Sequence, residues 1–198
     1  MPAINRAEWA APRIFIVEPH SDDAFLSMHT HITTLWKDKP KTIVTVFCDE
    51  RRCEEANNYA DSVGCQHIGL MLQEGGGLSH EAGRVPPFGE WDIRFRDNDM
   101  LVFPVGLQHP DHIAVRARLP LTAFGVTPYL FYPEIPYYGK LKVGEQLLTA
   151  TKGLVVDSMI YSPQSKWKSI QFFKSQGRYW FYNKPENMPR LEITLRKS

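Results

Sequence analysis

"IFIVEPHSDDAFLSMHTHI", residues Ile14 to Ile32, decides the fold. It begins as an apolar run of strand length and goes on as a helix-like segment, with His20, Asp22 and Asp23 gathered where the first gives way to the second. Working outward, the same alternation continues. The pattern predicts a strand over Arg13–Glu18, a helix over Asp22–Trp36, a strand over Thr42–Cys48, a helix over Arg51–Val63 and a short strand over Gln66–Gly69. Strands that alternate with helices make a parallel sheet covered by helices. The unalternated IVTVF of Ile43–Phe47 suits a strand buried on both faces. The expected fold class is therefore α/β, a Rossmann-like, mostly parallel sheet flanked by helices, in a single domain over residues 1–198.

From Gln73 to Asp97 the pattern fails. This stretch is rich in Gly and Pro, and long structureless loops in compact domains tend to be functional, so it is a candidate substrate loop. Order returns with a strand over Asp99–Val105, a helix from about Asp111 to Leu119 stopped by Pro120, and strands over Tyr129–Tyr132 and Leu154–Val156. Ser162 and Pro163 suit the N-cap and first position of a helix reaching about Ser175. Strands over Arg178–Tyr182 and Arg190–Leu195 close the sequence.

Bulk properties narrow the function classes. A chain of 198 residues can bury roughly 70% of the surface its unfolded form exposes, so no metal or disulfide is needed merely to fold. Hydrophobic residues make up 43% and charged ones 23%, and the formal net charge is +1, which gives no strong pull toward nucleic acid or anionic lipid. No signal-peptide pattern opens the chain, and no run approaches the ~18 apolar residues of a membrane span. The expected location is cytoplasmic. Cys48, Cys53 and Cys65 match neither CxxC nor zinc-finger spacing and are expected to be free, structural thiols.

The junctions carry the chemistry. In a parallel sheet, ligands gather beyond the carboxyl ends of the strands, which is where His20 falls. His20 and Asp23, three apart at a helix entry, can turn to one side of the turn, leaving Asp22 to point elsewhere. The alternative is structural: Ser21 or Asp22 as N-cap with Asp23 complementing the helix dipole, though this gives His20 nothing to do. A second junction, "FPVGLQHPDHIAVRA" over Phe103–Ala117, again ends a strand and begins a helix, with His109, Asp111 and His112 packed into it. Two such junctions in one chain point to a metal site.

PHSDD followed by HPDH resembles the LmbE/PIG-L family of zinc-dependent N-deacetylases, which remove acetate from N-acetylglucosamine conjugates. The resemblance extends to Cys48–Gly64, similar to the family's acidic residue and RxxE helix through Asp49, Glu50, Arg52 and Glu55. It also takes in "FYPEIPYY" over Phe131–Tyr138 and "KWKSIQFFKSQ" over Lys166–Gln176. It implies that His20, Asp23 and His112 bind zinc, that Asp22 is the general base, and that Glu50 and Arg52 meet the sugar. Two imidazoles and a carboxylate leave zinc an open position for water, whose pKa the ion lowers toward ~7. The activated water would attack the amide carbonyl. His109, if protonated, would hold the oxyanion, with Asp111 orienting it. Iron(II) suits the same mixed ligand set.

The chain departs from the family pattern in three places. Ser21 replaces a proline, Leu107 and Gln108 stand where some members place a tyrosine, and Asp49-Glu50 lacks an intervening glycine. These departures keep two alternatives in view: a non-catalytic sugar-binding module that retains the metal site, and an amidase of a larger thiol-sugar conjugate.

Other features read as structural. His29 and His31 do not share a helix face and are expected to be surface or satisfied residues, and His67 to be structural. His80, in the Gly/Pro-rich loop, is a weaker substrate-contact candidate. Gly75–Gly77 lacks the Lys-Ser or Lys-Thr of a phosphate-binding loop. The basic and aromatic stretch from Ser165 to Lys184 could present bases as a single-strand nucleic-acid platform does. However, Trp167, Ile170 and Phe173 recur at helical spacing, which turns them to a core and leaves the lysines solvated. The expected partner is a small-molecule or conjugate aminosugar.

Overall fold

The computed structural model describes residues 12–72, 85–118, 129–135, 151–161, 164–175 and 191–197. In it β1 (Ile14–His20) runs into α1 (Asp23–Thr30), β2 (Lys41–Phe47) into α2 (Glu50–Ser62), and β4 (Met100–Pro104) into α3 (Pro110–Ala117). With β3 (Gln66–Leu72), β5 (Tyr129–Tyr132), β6 (Leu154–Tyr161) and β7 (Leu191–Lys197), these strands form one seven-stranded sheet in the order β3-β2-β1-β4-β5-β7-β6. β3 through β5 are parallel in that order, and β7 and β6 join antiparallel. The strand order reverses between β1 and β4. The crevice beyond their carboxyl ends is the place where open α/β sheets bind ligands, and both His-rich junctions lie there.

The alternation of side chains along each strand divides the interior in two. Phe15, Val17, Val44, Val46, Leu101 and Phe103 face a core closed by Val115 of α3 and by Val85, Phe88 and Trp91. Ile14, Ile16, Ile43 and Val102 face the other, closed by Phe25 and Met28 of α1, Tyr59 of α2 and Phe173. With helices on both faces the central strands are mostly apolar, and all seven residues of β1 and of β2 are buried.

Several expectations are corrected. The helix expected over Asp22–Trp36 stays α-helical only to Thr30 and widens to a π-helix over His31–Leu35. A buried ion pair enters the ladder at the change. Glu192 accepts the N–H groups of Thr30 and His31 at 2.8 and 3.2 Å, while Lys166 donates to Leu26 O at 2.6 Å and to Glu192 at 2.8 Å. Lys166 is therefore buried rather than solvated, because Glu192 and a helix carbonyl replace its water. His29 and His31 are both buried and satisfied, His29 by Tyr59 and His31 by Glu192 and Ser158.

The helix expected after Ser162 is a 3₁₀ helix over Gln164–Phe172 with Phe173 in the core, and its expected cap at Ser162 and Pro163 lies outside the described residues. The second half of the candidate substrate loop is not open. Val85, Phe88 and Trp91 pack into the core, and Phe95 stacks on Phe88. The expected strand over Arg178–Tyr182 lies outside the described residues, as does His80. Cys48 and Cys53 form a disulfide instead of remaining free, because the turn into α2 brings their Cα atoms to 5.6 Å; Cys65 is free and buried. Among the described residues no helix is long and apolar enough to cross a membrane.

Candidate active site

The β1–α1 turn folds back on itself. His20 N–H donates to Asp23 Oδ2 at 2.9 Å, which brings the Asp23 carboxylate under the end of β1. Asp22 occupies the N-cap position of α1 but its side chain makes no capping bond there. The N–H of Ala24 goes instead to Glu18 Oε2 at 2.8 Å. Burial raises the Glu18 pKa well above the usual carboxylate range, against the bonds it accepts from Thr45 and Ala24. Thr45 bridges Glu18 to His67, at 2.6 and 2.9 Å, which accounts for His67 structurally.

The β4–α3 turn supplies the other half. Gly106 has φ +88, and a Cβ there would lie 2.9 Å from Arg116 Cβ, so the turn requires glycine. Gln108 follows with φ +56, a conformation costly for a residue with a side chain and common at functional sites. His109 then caps α3, its Nδ1 accepting the N–H of Asp111 at 3.3 Å. One turn on, His112 is buried against β1.

Three donor atoms converge between the two turns. His20 Nδ1 and His112 Nε2 lie 3.2 Å apart, His112 Nε2 and Asp23 Oδ2 3.3 Å, and His20 Nδ1 and Asp23 Oδ2 3.6 Å. A tetrahedral zinc with bonds of about 2.0–2.1 Å places its ligands about 3.3–3.4 Å from one another, so the triangle fits the ion. Each imidazole is also held from behind. His20 Nε2 is 2.9 Å from Asp111 Oδ2, and His112 Nδ1 is 3.1 Å from Glu134 Oε1. Metal-binding histidines characteristically turn their other nitrogen to a carboxylate in this way. Nitrogens of His20, His109 and His112 also lie within 4.8 Å of one another. The Asp23 triangle is the tighter set, and His109 stands at its rim, its side chain 27% exposed.

Without an ion, a proton would hold this cluster. Burial alone would lower the His20 pKa, but hydrogen bonds to Asp111 and Asp23 overcome it and raise it to about 9. Burial would raise the Asp23 pKa, and the facing His112 and His20 bring it below the usual value. A metal ion would displace that proton, so its binding is coupled to pH.

The structure brings together six of the expected site residues: His20, Asp22, Asp23, His109, Asp111 and His112. Asp111 is nearer to His20 than to His109, 2.9 against 3.7 Å, so its shorter contact is not the expected one. Glu50 is the first residue of α2, and Arg52 donates its N–H to the Asp49 side chain; both follow the carboxyl end of β2, beside β1. Glu134 was not among the expected site residues. Its signal was legible, since it is the acid that follows the apolar strand β5, a carboxyl-end position like that of His20, the last residue of β1.

No protein-family model matches the chain, and no curated protein matches it by sequence. Solved structures do match. The zinc-inhibited form of the teicoplanin deacetylase Orf2 superposes with a TM-score of 0.61 at 17% identity, over 94% of this chain and 98% of that one. N,N'-diacetylchitobiose deacetylase from Pyrococcus horikoshii, in complex with its inhibitor MPG, superposes with a TM-score of 0.53 at 16% identity, over 93% and 84%. GalB, a 4-carboxy-2-hydroxymuconate hydratase from Pseudomonas putida, superposes with a TM-score of 0.53 at 12% identity, over 93% and 95%. At these identities the likeness establishes the shared fold, one on which both deacetylases and a hydratase are built, so the reaction has to be argued from the site.

Proposed function

We propose that this chain is a metal-dependent amide hydrolase that removes an N-acetyl group from an aminosugar-containing substrate of the N-acetylglucosamine-conjugate type, as one domain of the LmbE/PIG-L kind. The observation that carries the reading is the donor triangle of His20, Asp23 and His112, with edges of 3.2 to 3.6 Å and a carboxylate behind each imidazole. These three residues would hold zinc, or iron(II), which suits the same donors. When bound, the ion would supply Lewis acidity and bring the pKa of a coordinated water toward ~7.

The remaining roles fall to the chain's own groups. Asp22, buried and not spent on capping α1, would take the proton of the attacking water. As oxygen adds to the carbonyl carbon, negative charge builds on the amide oxygen. A neutral His109 whose Nδ1 accepts from Asp111 N carries its proton on Nε2, which can donate to that oxygen from the rim. The C–N bond then breaks, the amine leaves with the proton from Asp22, and acetate remains. Glu50, Arg52 and His80 would contact the sugar.

The test is acetate release from a panel of N-acetylglucosamine conjugates by the wild type and Asp22→Asn. Turnover should fall by about 10²-fold or more in the variant with metal content unchanged. Wild-type turnover in Asp22→Asn would refute the base assignment. The residues Leu107-Gln108, which provide no tyrosine beside His109, favour a second reading, a sugar-binding module without turnover. Sugar affinity with no acetate release across the panel would establish it.

A further inference from the structure

The carboxyl end of β2 carries a second reactive pair that the proposed reaction does not use. Cys48 follows β2, Cys53 lies in the first turns of α2, and the two are joined by a disulfide. The bridge closes a ring around the N-cap of α2. Within that ring Asp49 accepts Arg52 N–H on its side chain at 2.8 Å and Cys53 N–H on its carbonyl at 2.9 Å. Glu50 and Arg52 therefore lie inside the ring.

β3 is shaped to receive the bridge. A Cβ on Gly69 would collide with Cys53 Sγ and come within 3.2 Å of Cys48 Sγ, so the sulfurs rest against the strand where only glycine leaves room. Met71 takes φ +56 beside them, its Sδ 3.8 Å from Cys48 Sγ, and the β2–β3 register shifts between Thr45 and Phe47. The bridge also adjoins the strand neighbour of a site histidine. Phe47, the residue before Cys48, is in register with His20, and their rings are 6.1 Å apart.

The two residues differ in exposure. Cys48 is 2% exposed, whereas Cys53 is only half-buried in the N-terminal turn of α2. Thiol–disulfide exchange requires a thiolate to reach one sulfur and expel the other. Of the two residues, Cys53 is the less buried.

We propose that Cys48–Cys53 is a reversible exchange site for a low-molecular-weight thiol, attacked at Cys53, and that its state sets the rigidity of the Asp49–Arg52 turn beside the histidine cluster. The incoming thiolate forms a bond to Cys53 Sγ, the Cys48–Cys53 bond breaks, and Cys48 leaves as a thiolate that takes up a proton. A second thiolate attacks the mixed disulfide on its non-protein sulfur, releasing Cys53 as a thiol. The protein disulfide has then gained two electrons, and two small thiols have become one disulfide. The same small disulfide reverses both steps. Cys65 is an internal reference, since burial pushes its thiol up to about 11.

The experiment equilibrates the full chain in glutathione buffers from oxidising to reducing, quenches in acid, alkylates under denaturing conditions and weighs the intact protein. The expected result is a passage from one alkylated cysteine to three, out of the three in the sequence, within the buffer range. Cys48→Ser should take up one glutathione on Cys53, and Cys53→Ser should take up none on the buried Cys48. Amide hydrogen exchange over residues 49–53 should quicken several-fold on reduction. Three thiols in every buffer, a bridge that survives excess dithiothreitol, or an adduct on Cys48 would overturn the proposal. Should a serine variant fail to fold, peptide mapping of the mixed disulfide in the wild type makes the same choice between Cys53 and Cys48. None of these readouts needs bound metal or turnover, so their failure is separable from failure of the deacetylase reading.

Discussion

Replacing Glu134 by Gln removes one negative charge and almost no volume from behind His112. Glu134 Oε1 accepts three donors: Gly106 N–H at 2.8 Å, Leu107 N–H at 2.9 Å and His112 Nδ1–H at 3.1 Å. The glutamine oxygen can take the same three, so the β4–α3 turn should persist with a loss of about 1–2 kcal/mol, the difference between charged and neutral acceptors less the easier burial of an amide. The imidazole, however, loses the carboxylate that strengthens it as a ligand. Removing such a partner weakens metal binding about 10–100-fold, or about 1.4–2.7 kcal/mol. Competition for zinc against a chromogenic chelator at neutral pH measures the change, with thermal unfolding as the check on folding. Glu134→Ala is the contrasting case, since it strips the acceptor from one buried and one part-buried backbone donor, at about 1–3 kcal/mol for the buried one, and should mainly destabilise. A folded Glu134→Gln protein with wild-type zinc affinity would refute the argument that Glu134 prepares His112 for metal.

Other consequences are checked by similar means. Asp111→Asn should also weaken zinc about 10–100-fold through His20, an effect the chelator competition would read as equal affinity if Asp111 served His109 alone. Gly106→Ala should cost roughly 1–3 kcal/mol in chemical denaturation, because φ +88 disfavours a side chain and Arg116 occupies the space; an unchanged midpoint would contradict this. Burial lowers the His29 pKa from 6.5 to about 4. The unfolded chain therefore takes up a proton below pH ~6.5 that the folded one refuses, and stability is lost as pH falls from there toward ~4, by at most about 3 kcal/mol. His29→Gln should flatten that part of the metal-free stability profile, and an identical slope in both proteins would count against it.

Much of the fold was legible because parallel strands buried on both faces leave apolar runs without polar alternation, as in Ile14–Val17 and in Ile43–Phe47 with its one Thr45, and helices lie between them. The site was legible for a related reason. Capping and helix-dipole roles leave His20 without a function at the end of a buried strand, and the candidate site was marked by PHSDD and HPDH both standing at such ends. What the sequence hid are interactions between distant positions. The break in the first helix comes from Lys166 and Glu192, which enter its ladder from 140 and 162 residues away in sequence. Trp91 and Phe88 sit among Gly and Pro, so local pattern marked them as loop although they fill the core. The role of Glu134 depends on a turn 27 residues earlier that points two N–H groups at it. The Cys48–Cys53 bridge has no recognised spacing, and Gly69, the position that makes room for it, is in another strand.

The most direct test of the central claim is metal content by mass spectrometry of the full chain purified without a metal-affinity tag, before and after zinc is added back, alongside His20→Ala and His112→Ala. The account predicts about one zinc or iron per chain in the wild type and its loss in both variants, as a three-ligand site requires. A wild-type protein that stays metal-free after zinc is added back, or variants that keep the full complement, would contradict it.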